Sequence, residues 1–189
     1  MSYLVNPYMV SPSIPTSGDI TWEVATSNDA TIDNNTSTVY FTAGSFSGYA
    51  RSEQEFVMGD VVGEITWKPM TTGNGNFGGF GKTPFSPSTP AYNYMSFYIY
   101  CEGGNIYYYQ PVADGSLPAV QISSGADAWD LTTVFKLSMA TTGIVTMYKD
   151  GVLKATSNVS SGVLAGTYFA FATGKNSGGL GATTYDFDA

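Results

Sequence analysis

From Asp19 onward, apolar and polar positions alternate in short runs separated by Gly, Pro, Asn and Ser. Alternation with a period of two places successive side chains on opposite faces of an extended chain, so these runs predict β-strands with one buried face. ITWEVA (20–25) and STVYFTAG (37–44) come first, and EQEFVMGDVVGEITWKP (53–69) follows as two strands broken near Gly59-Asp60. YNYMSFYIYC (92–101) is the clearest strand; EGGN (102–105) turns it and IYYYQ (106–110) returns. A short strand AVQIS (119–123) precedes a meander made of VFKLSMA (134–140), the turn TTG (141–143) and IVTMYKDGVLKATS (144–157). GTYFAFATG (166–174) and ATTYDFDA (182–189) close the chain. No segment sustains a 3.6-residue period with capping residues, so helices are not predicted. Many short strands at this spacing predict an all-β sandwich or barrel.

Two local signals sharpen this reading. Lys149-Asp150-Gly151 lies between extended runs, and Asp-Gly suits a tight hairpin whose two central residues need positive φ. NGNFGGFGK (74–82) is rich in glycine but lacks the strand–loop–helix context and the G-K-[ST] spacing of a phosphate-binding loop, Gly81-Lys82-Thr83 running into a proline-rich stretch, and it reads as a mobile or surface-packed loop. Residues 1–18 read as an extended arm ahead of a domain at 19–189. Pro7, Pro12 and Pro15 oppose regular structure there, while Tyr3, Leu4, Val5, Tyr8 and Met9 are too apolar for a solvated linker and predict docking, on this domain or on a neighbouring subunit.

The stretch FKLSMATTGIVTMYKDGVLKATS (135–157) resembles the meander of concanavalin-A-like and laminin-G-like sandwiches, carried by Phe135, Leu137 and Met139, Gly143, Val145, Tyr148, the Asp150-Gly151 turn, Val152 and Leu153. TSTVYFTAGSFSGYARSEQEF (36–56) is similar to the opening strands of that superfamily, and ATTYDFDA resembles its last strand, which pairs near the first. The resemblance implies a two-sheet antiparallel jelly roll, and no single function: the superfamily holds lectins, adhesive modules, glycanases, lyases and viral coat or fibre domains. The opening MSYLVNPYMVSP also resembles the arms of bacteriophage structural proteins.

Composition narrows the chemistry. Charged residues are 12% of 189, against about 25% in ordinary domains, which leaves the surface to Ser, Thr, Asn, Gly and Tyr. Seven Lys+Arg against fifteen Asp+Glu, a formal charge of −8, cannot supply the basic face that a nucleic-acid backbone or an anionic membrane demands. One cysteine, Cys101, forms no internal disulfide, and its parity with Met95, Phe97 and Ile99 places all four in the core. No basic, apolar leader opens the sequence, so synthesis in a host cytoplasm is expected.

Histidine is absent, which removes the commonest general base. Glu53-Gln54-Glu55 puts two carboxylates on one face, without the third acid of laminarinase-like glycanases. Arg51-Ser52-Glu53 matches the first motif of alginate lyases, but Gln121-Ile122-Ser123 lacks the histidine of the second. No catalytic residues are assigned and no cofactor is expected. The pairs Asp127/Asp130 and Asp186/Asp188 read as surface acids rather than calcium ligands, so no metal site is assigned either.

The most informative feature is a cluster of tyrosines. In the 92–110 hairpin Tyr92, Tyr94, Ser96, Tyr98 and Tyr100 share one face, and Tyr107 and Tyr109 share a face of the return strand opposite Ile106 and Tyr108. Such rings serve a protein interface, stack on sugars, or brace the sheet. Tyr92, Tyr94, Tyr98, Tyr100, Tyr107 and Tyr109 are the predicted binding surface. The leading expectation is a non-enzymatic virion protein, a phage capsid decoration or tail/fibre component located in the virion and contacting other virion proteins or copies of itself. The alternative is a carbohydrate-binding, lectin-like module, and the third a glycan-active hydrolase or lyase.

Overall fold

The computed structural model describes residues 17–26, 30–42, 49–57, 62–72, 75–82, 95–112, 119–159, 166–174 and 178–188. The predicted arm residues Tyr3, Leu4, Val5, Tyr8 and Met9, like Tyr92 and Tyr94, lie outside them. Fifteen strands and no helix occur among the described residues: β1 (Ser17–Asp19), β2 (Trp22–Thr26), β3 (Ala30–Asp33), β4 (Thr38–Phe41), β5 (Tyr49–Val57), β6 (Val62–Pro69), β7 (Asn76–Lys82), β8 (Met95–Glu102), β9 (Asn105–Gln110), β10 (Val120–Ala126), β11 (Phe135–Met139), β12 (Val145–Lys149), β13 (Val152–Thr156), β14 (Thr167–Gly174) and β15 (Gly179–Asp188).

They form two antiparallel sheets. The first runs β13-β12-β11-β6-β15-β4-β3, and β1 pairs with β15 beyond the end of β4; the second runs β10-β9-β8-β7-β14-β5-β2. The last strand thus pairs with the first, as the jelly-roll resemblance implies. The 135–157 meander is present with the predicted turn: Asp150 and Gly151 adopt φ of 50° and 76°, as a two-residue hairpin with this twist requires. Strict alternation buries Phe135, Leu137 and Met139 from β11 and Val145 and Met147 from β12. They meet Ile65 and Trp67 of β6 and, from the facing sheet, Phe56, Phe80, Phe97 and Ile99 in one inter-sheet core. Asn76 ties the sheets through this core, its Oδ1 accepting from Gly179 N at 2.8 Å and its Nδ2 donating to Thr71 O at 3.0 Å.

The glycine-rich run is where the structure departs most from the pattern. Asn76–Lys82 is no surface loop: β7 is the fourth of seven strands in its sheet, buried along nearly its whole length. Its glycines make room for neighbours. A Cβ on Gly78 would lie 2.5 Å from both Leu180 Cδ2 and Trp67 Cε2, and one on Gly81 would lie 2.4 Å from the Phe169 ring. Glycine in a strand marks close approach, and here bulky side chains of β14, β15 and β6 occupy the space that β7 leaves.

A second correction concerns Met95. Phe80 pairs with Phe97 but Gly81 pairs with Met95, so Ser96 is an extra residue in a bulge. The bulge reverses parity. Phe97, Ile99 and Cys101 stay in the inter-sheet core, while Met95 joins the outer face of the second sheet. The Cys101 thiol is 1% exposed, donates to Asn76 O at 3.7 Å, and is pushed up to about 12 by burial. The folded protein should therefore react with a thiol-labelling reagent no faster than it unfolds. Rapid stoichiometric labelling of Cys101 at neutral pH would contradict this packing.

Candidate functional site

Among the described residues, the outer face of the β10-β9-β8-β7-β14-β5-β2 sheet carries most of the aromatic side chains outside the main core. Antiparallel register sets Tyr98 opposite Tyr109 and Tyr100 opposite Tyr107, while Phe77 of β7 faces Tyr100 from the other side. Directly opposed residues on one sheet face lie within ring contact, and these rings stack. Phe77 and Tyr100 have centroids 3.9 Å apart at 10°, Tyr98 and Tyr109 4.4 Å at 11°, and Tyr100 and Tyr107 5.4 Å at 22°. The row Tyr107–Tyr100–Phe77 thus crosses three strands, with Tyr109–Tyr98 beside it.

Exposure is graded across this face. Met95, Phe169 and Phe171 are fully buried, with Tyr49 stacked on Phe171 at 5.4 Å. Tyr98 is 6% exposed, so it supports the platform rather than presenting it. Tyr100, Tyr107 and Tyr109 keep part of their surface in solvent. Burial, and then the neighbouring Tyr109, raises the Tyr98 phenol, and burial followed by Tyr107 raises that of Tyr109. Both remain neutral hydroxyls near pH 7. The Tyr100 hydroxyl donates to Glu102 Oε2 on the same face. A bulge between Gln121 and Ser123 then places Gln121 opposite Tyr109 and Ser124 opposite Tyr107, giving the aromatic strip a polar edge. The four predicted tyrosines that are described are therefore brought together. Phe77 belongs with them; its place within a glycine-rich run conceals it in the sequence. Tyr108, as its parity implies, points into the inter-sheet core.

On the far side of the same face charged side chains pair with one another. Arg51 binds Glu23, and its Nη1 lies 3.1 Å from Glu55 Oε1, with its guanidinium 5.4 Å from the Phe169 ring centroid. Ser52 is buried in a bulge, donating to Gln54 O at 2.6 Å and accepting from Ala170 N at 2.9 Å. Arg51-Ser52-Glu53 on β5 and Gln121-Ile122-Ser123 on β10 stand five strand steps apart, roughly 24 Å at ~4.8 Å per step. The two lyase-like motifs do not form one site.

Nor do the described acids suit calcium, which takes six or more oxygen ligands. Asp127 accepts from Lys154 Nζ at 2.8 Å and Lys149 Nζ at 3.1 Å. Asp130 turns back on its own loop, accepting from Thr132 N at 2.7 Å and Thr133 N at 3.1 Å. Hydrogen bonds from these partners hold both carboxyls below their ordinary range. The side chains of Asp186 and Asp188 lie outside the described residues.

No protein-family profile and no curated protein matches the sequence. Solved structures do match the fold. The carbohydrate recognition domain of Emp46p in a metal-free form aligns with TM-score 0.59 and 10% identity over 90% of this chain and 88% of that one. The carbohydrate recognition domain of Emp47p aligns with TM-score 0.60 and 12% identity, covering 89% and 88%. The lumenal domain of VIP36, in a Ca2+/Man3GlcNAc-bound form, aligns with TM-score 0.58 and 14% identity, covering 89% and 86%. The fold is the concanavalin-A-like jelly roll. Two of these neighbours are carbohydrate recognition domains and the third is a lumenal domain with Man3GlcNAc bound, and with them the expectation of a virion structural protein is corrected: neither they nor the described strands carry support for a capsid or tail role. The misreading came from the opening arm and the uncharged surface, features that say how a chain is solvated and not what its sheet face binds.

Proposed function

We propose that this domain is a non-catalytic, lectin-like module that binds glycan on the outer face of the β10-β9-β8-β7-β14-β5-β2 sheet, over Tyr100, Tyr107 and Tyr109. The observation that carries this reading is the stacked row Tyr107–Tyr100–Phe77 with a polar edge at Gln121 and Ser124. Aromatic faces pack against the C–H faces of pyranose rings, while phenol, amide and hydroxyl groups hydrogen-bond the sugar hydroxyls. The VIP36 structures with Man3GlcNAc and Man2 support the same reading and make mannose oligosaccharides the first probes. Charge agrees with a neutral ligand: Glu102 lies beside the strip and the chain carries −8 overall, which disfavours sialylated or sulfated sugars.

The chemistry around the strip is that of binding. Glu55 is paired with Arg51, histidine is absent, and the two motifs that resemble lyase signatures are four intervening strands apart. A glycan array followed by calorimetric titration with a mannotriose should show saturable binding and no cleavage products. Because Asp127 and Asp130 are committed to other partners, that affinity should be unchanged by EDTA. Release of reducing ends from a mannan would overturn the non-catalytic reading. Abolition of binding by EDTA would show that a metal outside these two acids organises the site.

A further inference from the structure

One end of the tyrosine strip presents hydrogen-bond acceptors rather than donors. Glu102 follows Tyr100 by two residues on β8, so both side chains stand on the outer face. The Tyr100 hydroxyl donates its single proton to Glu102 Oε2. With that proton committed, the phenol oxygen can only accept from a ligand, and an ionised carboxylate is acceptor-only as well. A carboxylate has about four acceptor positions, so Glu102 can take a further donor without releasing Tyr100. Both residues are half-buried and keep part of their surface in solvent. The Tyr107 ring stands beside them, its centroid 5.4 Å from that of Tyr100, and half-buried, neutral Asn105 lies opposite Glu102 across the β8–β9 ladder.

Charge reinforces this asymmetry. The chain's single arginine, Arg51 on β5, stands three strand steps from β8, roughly 14 Å at ~4.8 Å per step, and is paired with Glu23 and Glu55. The chain as a whole carries −8. Substituents of a pyranose ring meet such an end differently. A hydroxyl donates one hydrogen bond. An acetamido group donates one as well, but its carbonyl oxygen finds no donor on Tyr100 or Glu102. A protonated amine brings three donors, no acceptor and a positive charge, and its bond to a carboxylate is of the stronger, charge-assisted kind.

We propose that the site prefers amino sugars over neutral ones, with a protonated ring amine seated between the Glu102 carboxylate and the Tyr100 oxygen and the sugar ring against Tyr107. The inference rests on the glycan reading above and narrows its ligand class. The test is calorimetric titration of the full chain at about pH 6, where an amine is protonated and an ordinary glutamate is ionised. The probes are (1→4)-linked trimers of glucosamine, N-acetylglucosamine and glucose, which differ only in the group at C2, together with mannotriose. The glucosamine trimer should bind about fivefold tighter than the other two of its series, the gain expected of a solvent-exposed, hydrogen-bonded ion pair. In roughly 1 M salt, where the screening length falls to ~3 Å, the gain should shrink to within about twofold. Glu102→Gln should shrink it likewise at low salt; the amide oxygen still accepts from Tyr100, and the salt series on the parent decides if this variant does not fold. Glu53→Gln removes the same charge from an exposed position of β5 and should leave the gain in place. Trilysine, a cation without sugar rings, should bind at least about fivefold more weakly than the glucosamine trimer. Equal binding of the glucosamine and glucose trimers, or binding of mannotriose alone, overturns the proposal and leaves the glycan reading standing; binding of no saccharide overturns both. A gain that survives salt or Glu102→Gln, a gain lost equally in Glu53→Gln, or trilysine bound as tightly as the amino sugar overturns the proposal too.

Discussion

Replacing Gly79 by alanine is expected to lower the melting temperature by roughly 6–12 °C, the consequence of about 3 kcal/mol of overpacking in a domain of this size. The added Cβ would lie 2.0 Å from Phe97 O and 2.6 Å from Tyr98 Cα. Both are backbone atoms of β8, so no rotamer change relieves the clash; β7 and β8 must move apart. The cost belongs at the upper end of the range usual for overpacked cores because the strain falls on a ladder of hydrogen bonds in the middle of the sheet. Gly125→Ala is the control. Its Cβ would meet nothing within 4 Å, and such an exposed substitution changes stability by no more than about 0.5 kcal/mol. Thermal unfolding followed by circular dichroism separates the two. Equal melting temperatures for Gly79→Ala and the parent would mean that β7 is not wedged between β8 and β14.

Truncating Tyr107 to alanine is expected to reduce mannotriose affinity about tenfold, or ~1.4 kcal/mol, while leaving the fold intact. Tyr107 lies at the solvent-facing end of the row, stacked only against Tyr100 among the described aromatic contacts, so its loss opens no core cavity. Tyr107→Phe should keep more than half of the lost energy, since the ring supplies the stacking surface and the hydroxyl only an edge contact. Truncating Tyr98, by contrast, should destabilise the protein as well as weaken binding, because it is nearly buried beneath Tyr109. Glu53→Gln, on an exposed position of β5, should change neither property. Calorimetry on the four variants, with melting curves alongside, distinguishes a binding surface from a sheet brace. If Tyr107→Ala binds as the parent does, the tyrosine row only stabilises the sheet.

How far the pattern reached is instructive. The meander from Phe135 to Ser157 was legible because each strand alternates cleanly and the Asp150-Gly151 turn has a strong local preference. The stacking of Tyr98, Tyr100, Tyr107 and Tyr109 followed from parity across a four-residue turn, in which Gly103 and Gly104 take φ of 58° and 82°. β7 was not legible. Composition marks Asn76–Lys82 as loop, and only the facing bulk of Trp67, Phe169 and Leu180 explains why glycine fits there. Two bulges were equally invisible: one turns Met95 outward, the other brings Ser124 opposite Tyr107. A bulge depends on the partner strand, which alternation within one strand does not encode. The division between supporting and presenting tyrosines was hidden for the same reason, since burial of Tyr98 depends on what packs over the sheet.

The most direct test of glycan binding on this face is the structure of the full chain in complex with a mannotriose. A sugar ring is expected over Tyr100 and Tyr107, with hydroxyls reaching Gln121 or Ser124 and no contact to the Arg51–Glu23–Glu55 cluster. A sugar bound on the outer face of the other sheet, near Lys136 and Tyr148, or a strip of tyrosines left bare at saturating sugar, would contradict it.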